Sequence, residues 1–129
     1  MTDRHERGLD AYGSQFRLSR DEVLAWFAEH TGERFGTEAI NAAAAAWVDD
    51  CLDLRVRSLV VIAALVTQGG VDERLRGHVR WAIDHGATPE ELEALATLLA
   101  VYIGFPKASE GIEVIRDELA RMQGSSSGP

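Results

Sequence analysis

The sequence predicts an all-α fold of about six helices in a single domain, and three observations carry that prediction. Apolar residues return at spacings of three and four along most of the chain, the period of one helix face. Two strings, Ser19 to Glu22 and Thr88 to Glu91, carry the residue pattern of a helix start. No alternating β-branched run lies between turn dipeptides, and Val60 and Val61 sit inside a helical period too long for an ordinary strand. With 129 residues and 46% hydrophobic composition, the chain is long enough to bury roughly two thirds of its unfolded surface.

Residues 1–18 read as an N-terminal segment ahead of the helices. In SRDE, Ser19 accepts from first-turn amides and Glu22 reaches back, followed by Val23, Leu24 and Phe27; this first helix ends near Gly32. Thr37 is expected to cap the second, in which the run Ala42 to Ala46 favours helicity and Ile40, Ala43, Ala44, Trp47 and Val48 form the apolar stripe. The third starts at Asp53 or Leu54 and continues to about Thr67; because Leu59 to Val66 is apolar on every side, it reads as central and buried. Gly69 and Gly70 break the pattern. Asp72 is expected to cap a fourth helix, with Leu75, Val79, Ala82 and Ile83 inward and Arg74, Arg76 and Arg80 outward, ending at Gly86. Thr88, Pro89 and Glu91 supply an N-cap, a first-turn proline and a capping glutamate for the fifth, whose apolar residues wrap more than one face before Gly104 and Pro106. The sixth carries Ala108, Ile112, Ile115, Leu119 and Met122 and ends by Gln123. Residues 19–122 are thus the helical domain, and residues 123–129 a tail with no side chain to bury, expected to be disordered.

Two helices that are apolar nearly all round exceed what six short helices hide, so self-association is expected. The net charge of -8 and a pI near 4.9 leave no basic field for phosphates, which argues against a nucleic-acid partner; a small anionic ligand would need local arginines. No apolar run approaches about 18 residues and the first ten residues lack the apolar centre of a secretory signal, so no membrane partner and a soluble, cytoplasmic protein are expected. Cys51 is the only cysteine, which excludes an intrachain disulfide and a CxxC redox pair.

Residues 52–106 hold a spaced set of features: Leu54, Arg55, Arg57, Ser58 and Leu59 opening an apolar helix; His78 inside GHVRWAI; Gly86; Thr88 to Glu91; and Tyr102, Gly104 and Pro106. On these the chain resembles the carboxymuconolactone decarboxylase family, more loosely over residues 5–122. The resemblance implies an alkylhydroperoxidase D-like helical fold, a homo-oligomer, commonly a trimer or hexamer, and decarboxylation of a small carboxylated lactone without a cofactor. Hydroperoxide-reducing members of the same superfamily use a CxxC pair with an upstream glutamate and a histidine. Here Gly70 and Glu73 fall about where those cysteines would, and Ser58 about where the glutamate would, so thiol peroxidase chemistry is disfavoured. Asp84 and His85 stand where the decarboxylases often carry paired asparagines, and Ile103 where a cysteine is frequent.

His78 lies three residues after Leu75 and four before Ala82, on or beside the inward stripe, where partial burial tunes an imidazole for proton transfer; the bland alternative is a core histidine bonded internally. The resemblance matches it to the histidine of the family's HLRAA-like helix. Arg55 and Arg57 carry guanidinium groups suited to a carboxylate, with ion pairs to Asp49, Asp50 or Asp53 as the structural alternative. Tyr102 is a candidate oxyanion donor or a packed ring, Trp47 a pocket wall or interface residue, and Glu91 a capping residue. His78 and His85 stand seven apart with no HxxxH or HExxH pattern, and no glycine-rich loop follows a strand, so neither a metal nor a nucleotide cofactor is expected. The expected catalytic residues are therefore His78 and Tyr102, with Arg55, Arg57 and Trp47 binding an anionic substrate. The alternatives are a helical binding protein without chemistry and, less favoured, a redox protein.

Overall fold

The computed structural model describes residues 3–48 and 51–126; among them are seven α-helices and no strand. Contacts gather the chain into two compact units, Met1–Cys51 and Leu52–Pro129.

The first unit holds α1 (Asp3–Phe16), α2 (Arg20–His30) and α3 (Glu33–Val48). Helix α1 is the one beyond the expected six. Its Leu9 is wholly buried and shares a core with Val23, Phe27 and Ile40. Gly8 makes the packing possible, because a Cβ there would run into the Ile40 carbonyl. The Ser19 capping box forms as expected, with Glu22 N bonding Ser19 Oγ at 3.2 Å and Ser19 N bonding Glu22 Oε1 at 2.9 Å. Thr37 is not a cap. The helix already begins at Glu33, and the Thr37 hydroxyl donates back to the Glu33 carbonyl at 2.9 Å, a bond available only inside a helix.

The second unit holds α4 (Leu54–Gln68), α5 (Asp72–Asp84), α6 (Pro89–Ile103) and α7 (Phe105–Ser126) around Ile62, Val66, Leu75, Val79, Leu92 and Ile115. Three expectations need correction here. Helix α4 is buried along one face only, through Ser58, Ile62 and Val66, while Val60 is 54% exposed; this chain alone does not cover an all-apolar helix. Asp72 is the first helical residue and not the cap, since Val71 holds that place without a side-chain bond. Arg76 turns inward, its side chain 14% exposed, to meet Asp117 at 2.6 Å and Glu118 at 3.5 Å on α7. Arg80 joins the buried Glu118 at 2.6 Å, so the arginine face of α5 is half a docking surface for α7. Gly86 takes φ of 99° after α5, as its place in the sequence requires. Helix α7 continues past Gln123 to Ser126, and residues 127–129 lie outside the described residues. No described helix is long and apolar enough to cross a membrane.

Candidate active site

Three helix ends meet at one end of the second unit: the starts of α4 and α6 and the end of α5. Asp53 caps α4 by accepting from Val56 N at 2.9 Å. Thr88 caps α6 and accepts from Glu91 N at 3.1 Å, while Glu91 Oε1 accepts from Thr88 N at 3.0 Å. The same Glu91 carboxylate takes both faces of the Arg55 fork, from Nε at 3.2 Å and from NH2. The pairing holds the Glu91 carboxyl below, and the Arg55 guanidinium above, its ordinary range. Arg55 is thereby committed to joining α4 to α6, and its partner is Glu91; Asp49 and Asp50 lie outside the described residues.

Arg57 donates from Nε to the Leu52 carbonyl at 2.6 Å. One residue on, Ser58 is 1% exposed, and its Oγ lies 3.0 Å from Nδ1 of His85, the residue that follows α5. The His85 ring packs on Trp81 with centroids 4.5 Å apart. Burial lowers the His85 pKa most, and Arg57 adds to that; Asp84 and the Leu54 carbonyl pull it upward.

His78 sits half-buried in the middle of α5, its ring 5.8 Å from that of Trp81. Burial, helped by the positive charge of Arg74, pushes its pKa down to about 4, so the ring is neutral at physiological pH. His78 and His85 are about 10 Å apart along the helix axis, seven residues at 1.5 Å each. Tyr102 lies in the last turn of α6 and is 80% exposed. It is eleven residues from Glu91, about 16 Å along α6, and so stands at the opposite end of that helix from Arg55. Trp47 is half-buried in the last turn of α3, within the first unit.

Of the expected site residues, the fold therefore groups Arg55 and Arg57 at one end, sets His78 further along α5, and puts Tyr102 at the far end of α6. The grouping also takes in Ser58 and His85, neither of them among the expected site residues. A signal existed for Ser58. It stands four and eight residues before Ile62 and Val66, making it the polar member of the one fully buried stripe of α4.

Between α6 and α7 runs an open groove, about 330 Å³ along the part lined by Ala96, Ala100, Phe105, Ile112 and Arg116. None of the expected site residues lines it. Among the described residues no three His, Cys, Asp or Glu side chains gather as a metal centre requires.

Comparison with known proteins bears on the same helices. The model of the carboxymuconolactone decarboxylase family matches residues 34–117, a stretch that takes in α4, α5 and α6 whole. The 4-carboxymuconolactone decarboxylase of Acinetobacter baylyi is 34% identical over 71 residues, covering 55% of this chain and 52% of the relative. The aligned part spans about half the length of that relative. The match runs across the polar cluster at the helix ends and the half-buried imidazole alike, and on it the chain belongs to the carboxymuconolactone decarboxylase family.

Proposed function

We propose that this chain is a cytoplasmic, cofactor-independent decarboxylase, or a closely related proton-transfer enzyme, acting on a small carboxylated lactone or enolisable acid. The observation that carries the reading is a half-buried imidazole, His78, inside the stretch that the family model matches. Loss of carbon dioxide leaves an electron pair that spreads into a conjugated carbonyl, and the step ends when a proton reaches carbon. A ring with a pKa of about 4 holds no proton to give in the free protein. A substrate carboxylate brought against it favours the charged ring and raises that pKa, so the acid is made by the complex. The imidazolium then passes its proton to carbon as carbon dioxide departs, and solvent restores it. Arg57, whose charge is felt at His85, anchors the anion; Arg55 keeps the helix starts together through Glu91.

Tyr102 completes the reading only in an assembly. A phenol in open water does little for a developing oxyanion, and Tyr102 is exposed beside Leu98, Val101 and Phe105, an apolar set that favours a homo-oligomer, a trimer or hexamer. A second copy over that surface would dry the phenol and bring it to a substrate.

The test is turnover of 4-carboxymuconolactone by the native chain and by His78→Gln. The substitution is expected to lower kcat by about 10². The native kcat should fall with rising pH through a limb whose midpoint lies above about 4, and the variant should lack that limb. Equal turnover by native chain and variant would remove His78 from the chemistry. Binding of the lactone without turnover by either would favour the alternative reading, a helical binding protein, for which the separation of Tyr102 from Arg55 along α6 is the supporting observation.

A further inference from the structure

The groove between α6 and α7 carries two charges of its own, one of each sign. It continues past the stretch described above: Glu93, Ile112 and Arg116 line that stretch and also a second, of about 300 Å³, that reaches Pro89 and Leu119. Pro89 lies by Leu119 at one end and Ala100 by Ala108 at the other, so the helices run antiparallel, with Glu93 and Arg116 level at mid-length. The floor is apolar, made by the buried Ala96, Ala100 and Ala108 with the half-buried Ile112. The walls are not. Glu93 stands on the α6 wall and Arg116 on the α7 wall, both exposed, and among the described residues neither side chain has an ion partner, not even the other. One residue further along α7, Asp117 and Glu118 gather Arg76, Arg80 and Arg121, a network that leaves Arg116 out.

We propose that this groove is the contact between two copies of the chain, joined about a twofold axis that runs along it, with Glu93 of each copy paired to Arg116 of the other. Such an axis lays the α6 wall of one copy over the α7 wall of its partner, level for level. Opposite charges at one level of opposite walls then meet twice, once on each side of the axis. A foreign helix would have to bring both charges at the same spacing, whereas a second copy brings them by symmetry. The contact dries the alanine floor and Phe105, a lining residue that is 70% exposed in the single chain. The ion pairs choose partner and register, since an exposed pair adds little affinity while like charges set face to face are costly. Leu98 and Tyr102 stand five and nine residues beyond Glu93, about 140° and 180° round α6, and so belong to a different surface; Val101, about 80° round, and Phe105 border both. Two surfaces, one of them twofold, give an even number of copies, hence a hexamer of two paired trimers. That count rests on the homo-oligomer proposed above; the pairing does not.

Light scattering of the full chain and of charge-reversed variants reads the contact. The native chain should have the mass of an even number of copies. Glu93→Arg sets arginine against arginine on both sides of the axis, and Arg116→Glu sets glutamate against glutamate. Each variant should keep its helical circular dichroism, dissociate at least about tenfold more readily and show half the native mass. Mixed in equal amounts, the two should regain the native mass, because a groove with two arginines then meets one with two glutamates; misfolded chains could give no such rescue. The double variant, Glu93→Arg with Arg116→Glu, should regain it as well. A native mass of one or three copies, single variants of native mass, or a mixture that stays at half mass would overturn the proposal. A native mass of two copies would uphold the pairing and remove the trimer from the reading above. Even mass and rescue by mixing, in a chain that leaves 4-carboxymuconolactone unchanged, would uphold the pairing while removing the proposed activity.

Discussion

At the scale of single residues, His78 ties stability to pH. Its pKa of about 4 in the folded chain lies below the 6.5 of a free histidine, so the unfolded chain takes up a proton that the native one refuses. The stabilisation is complete above about 6.5 and is lost as pH falls toward about 4, below which both states are charged. The loss from this group is on the order of 3 kcal/mol across that window. Denaturant unfolding at neutral and acid pH should show it, and His78→Gln should flatten the dependence, leaving the smaller contribution that the lowered pKa of His85 adds with the same sign. An equally steep variant would mean that acid acts elsewhere. The arginines teach a different lesson, since Arg55 was a fair candidate for a substrate anchor from its residue type alone. Its actual partner, Glu91, is 36 positions away in sequence, and a contact of that separation is written in no local pattern.

At the scale of elements, glycines decide how closely helices pack. Gly111 lies where α7 crosses α4, and a Cβ there would stand 2.6 Å from Val66 Cγ1, a buried branched side chain with nowhere to go. Gly111→Ala should destabilise the chain by about 1–3 kcal/mol. Gly77, inside α5, would place its Cβ 3.7 Å from the flexible end of Arg80, an ordinary contact, so Gly77→Ala should stabilise by about 0.5–1 kcal/mol. Thermal or denaturant midpoints of the two variants moving the same way would refute the packing argument. The elements also show where sequence reading succeeds. SRDE and TPEE were legible because a capping box is closed within four residues. Thr37 and Asp72 were misplaced because a threonine or aspartate marks a cap only when the backbone before it leaves the helix, and Glu33 and Val71 settle that. Helix α1 escaped notice because Gly8 and Gly13 weaken its propensity, although Leu9, Tyr12 and Phe16 keep the helical spacing. In α4 the apolar surround hid which face turns inward, and the buried Ser58 was the one residue that could have told it.

At the scale of the whole molecule, the question is what covers the apolar residues that the chain leaves in water. Leu98, Val101, Tyr102 and Phe105 are all well exposed, with Val101 at 72%. If a homo-oligomer covers them, Val101→Glu should leave the helical content intact, lower the mass seen by light scattering to that of one chain, and lower turnover with it, because Tyr102 loses its cover. A variant with native mass would place the assembly surface elsewhere. The surplus of negative charge, -8 over the chain, leaves such an assembly without a net basic field.

Trp81 sits within 5.8 Å of one imidazole and 4.5 Å of the other, and it is the lone indole of the second unit. Excited indole gives up its light to a neighbouring imidazolium far more readily than to a neutral ring. With Trp26 and Trp47 changed to Phe, the fluorescence left would dim as either histidine gains charge, so the indole would report optically on the protonation of the two rings beside it.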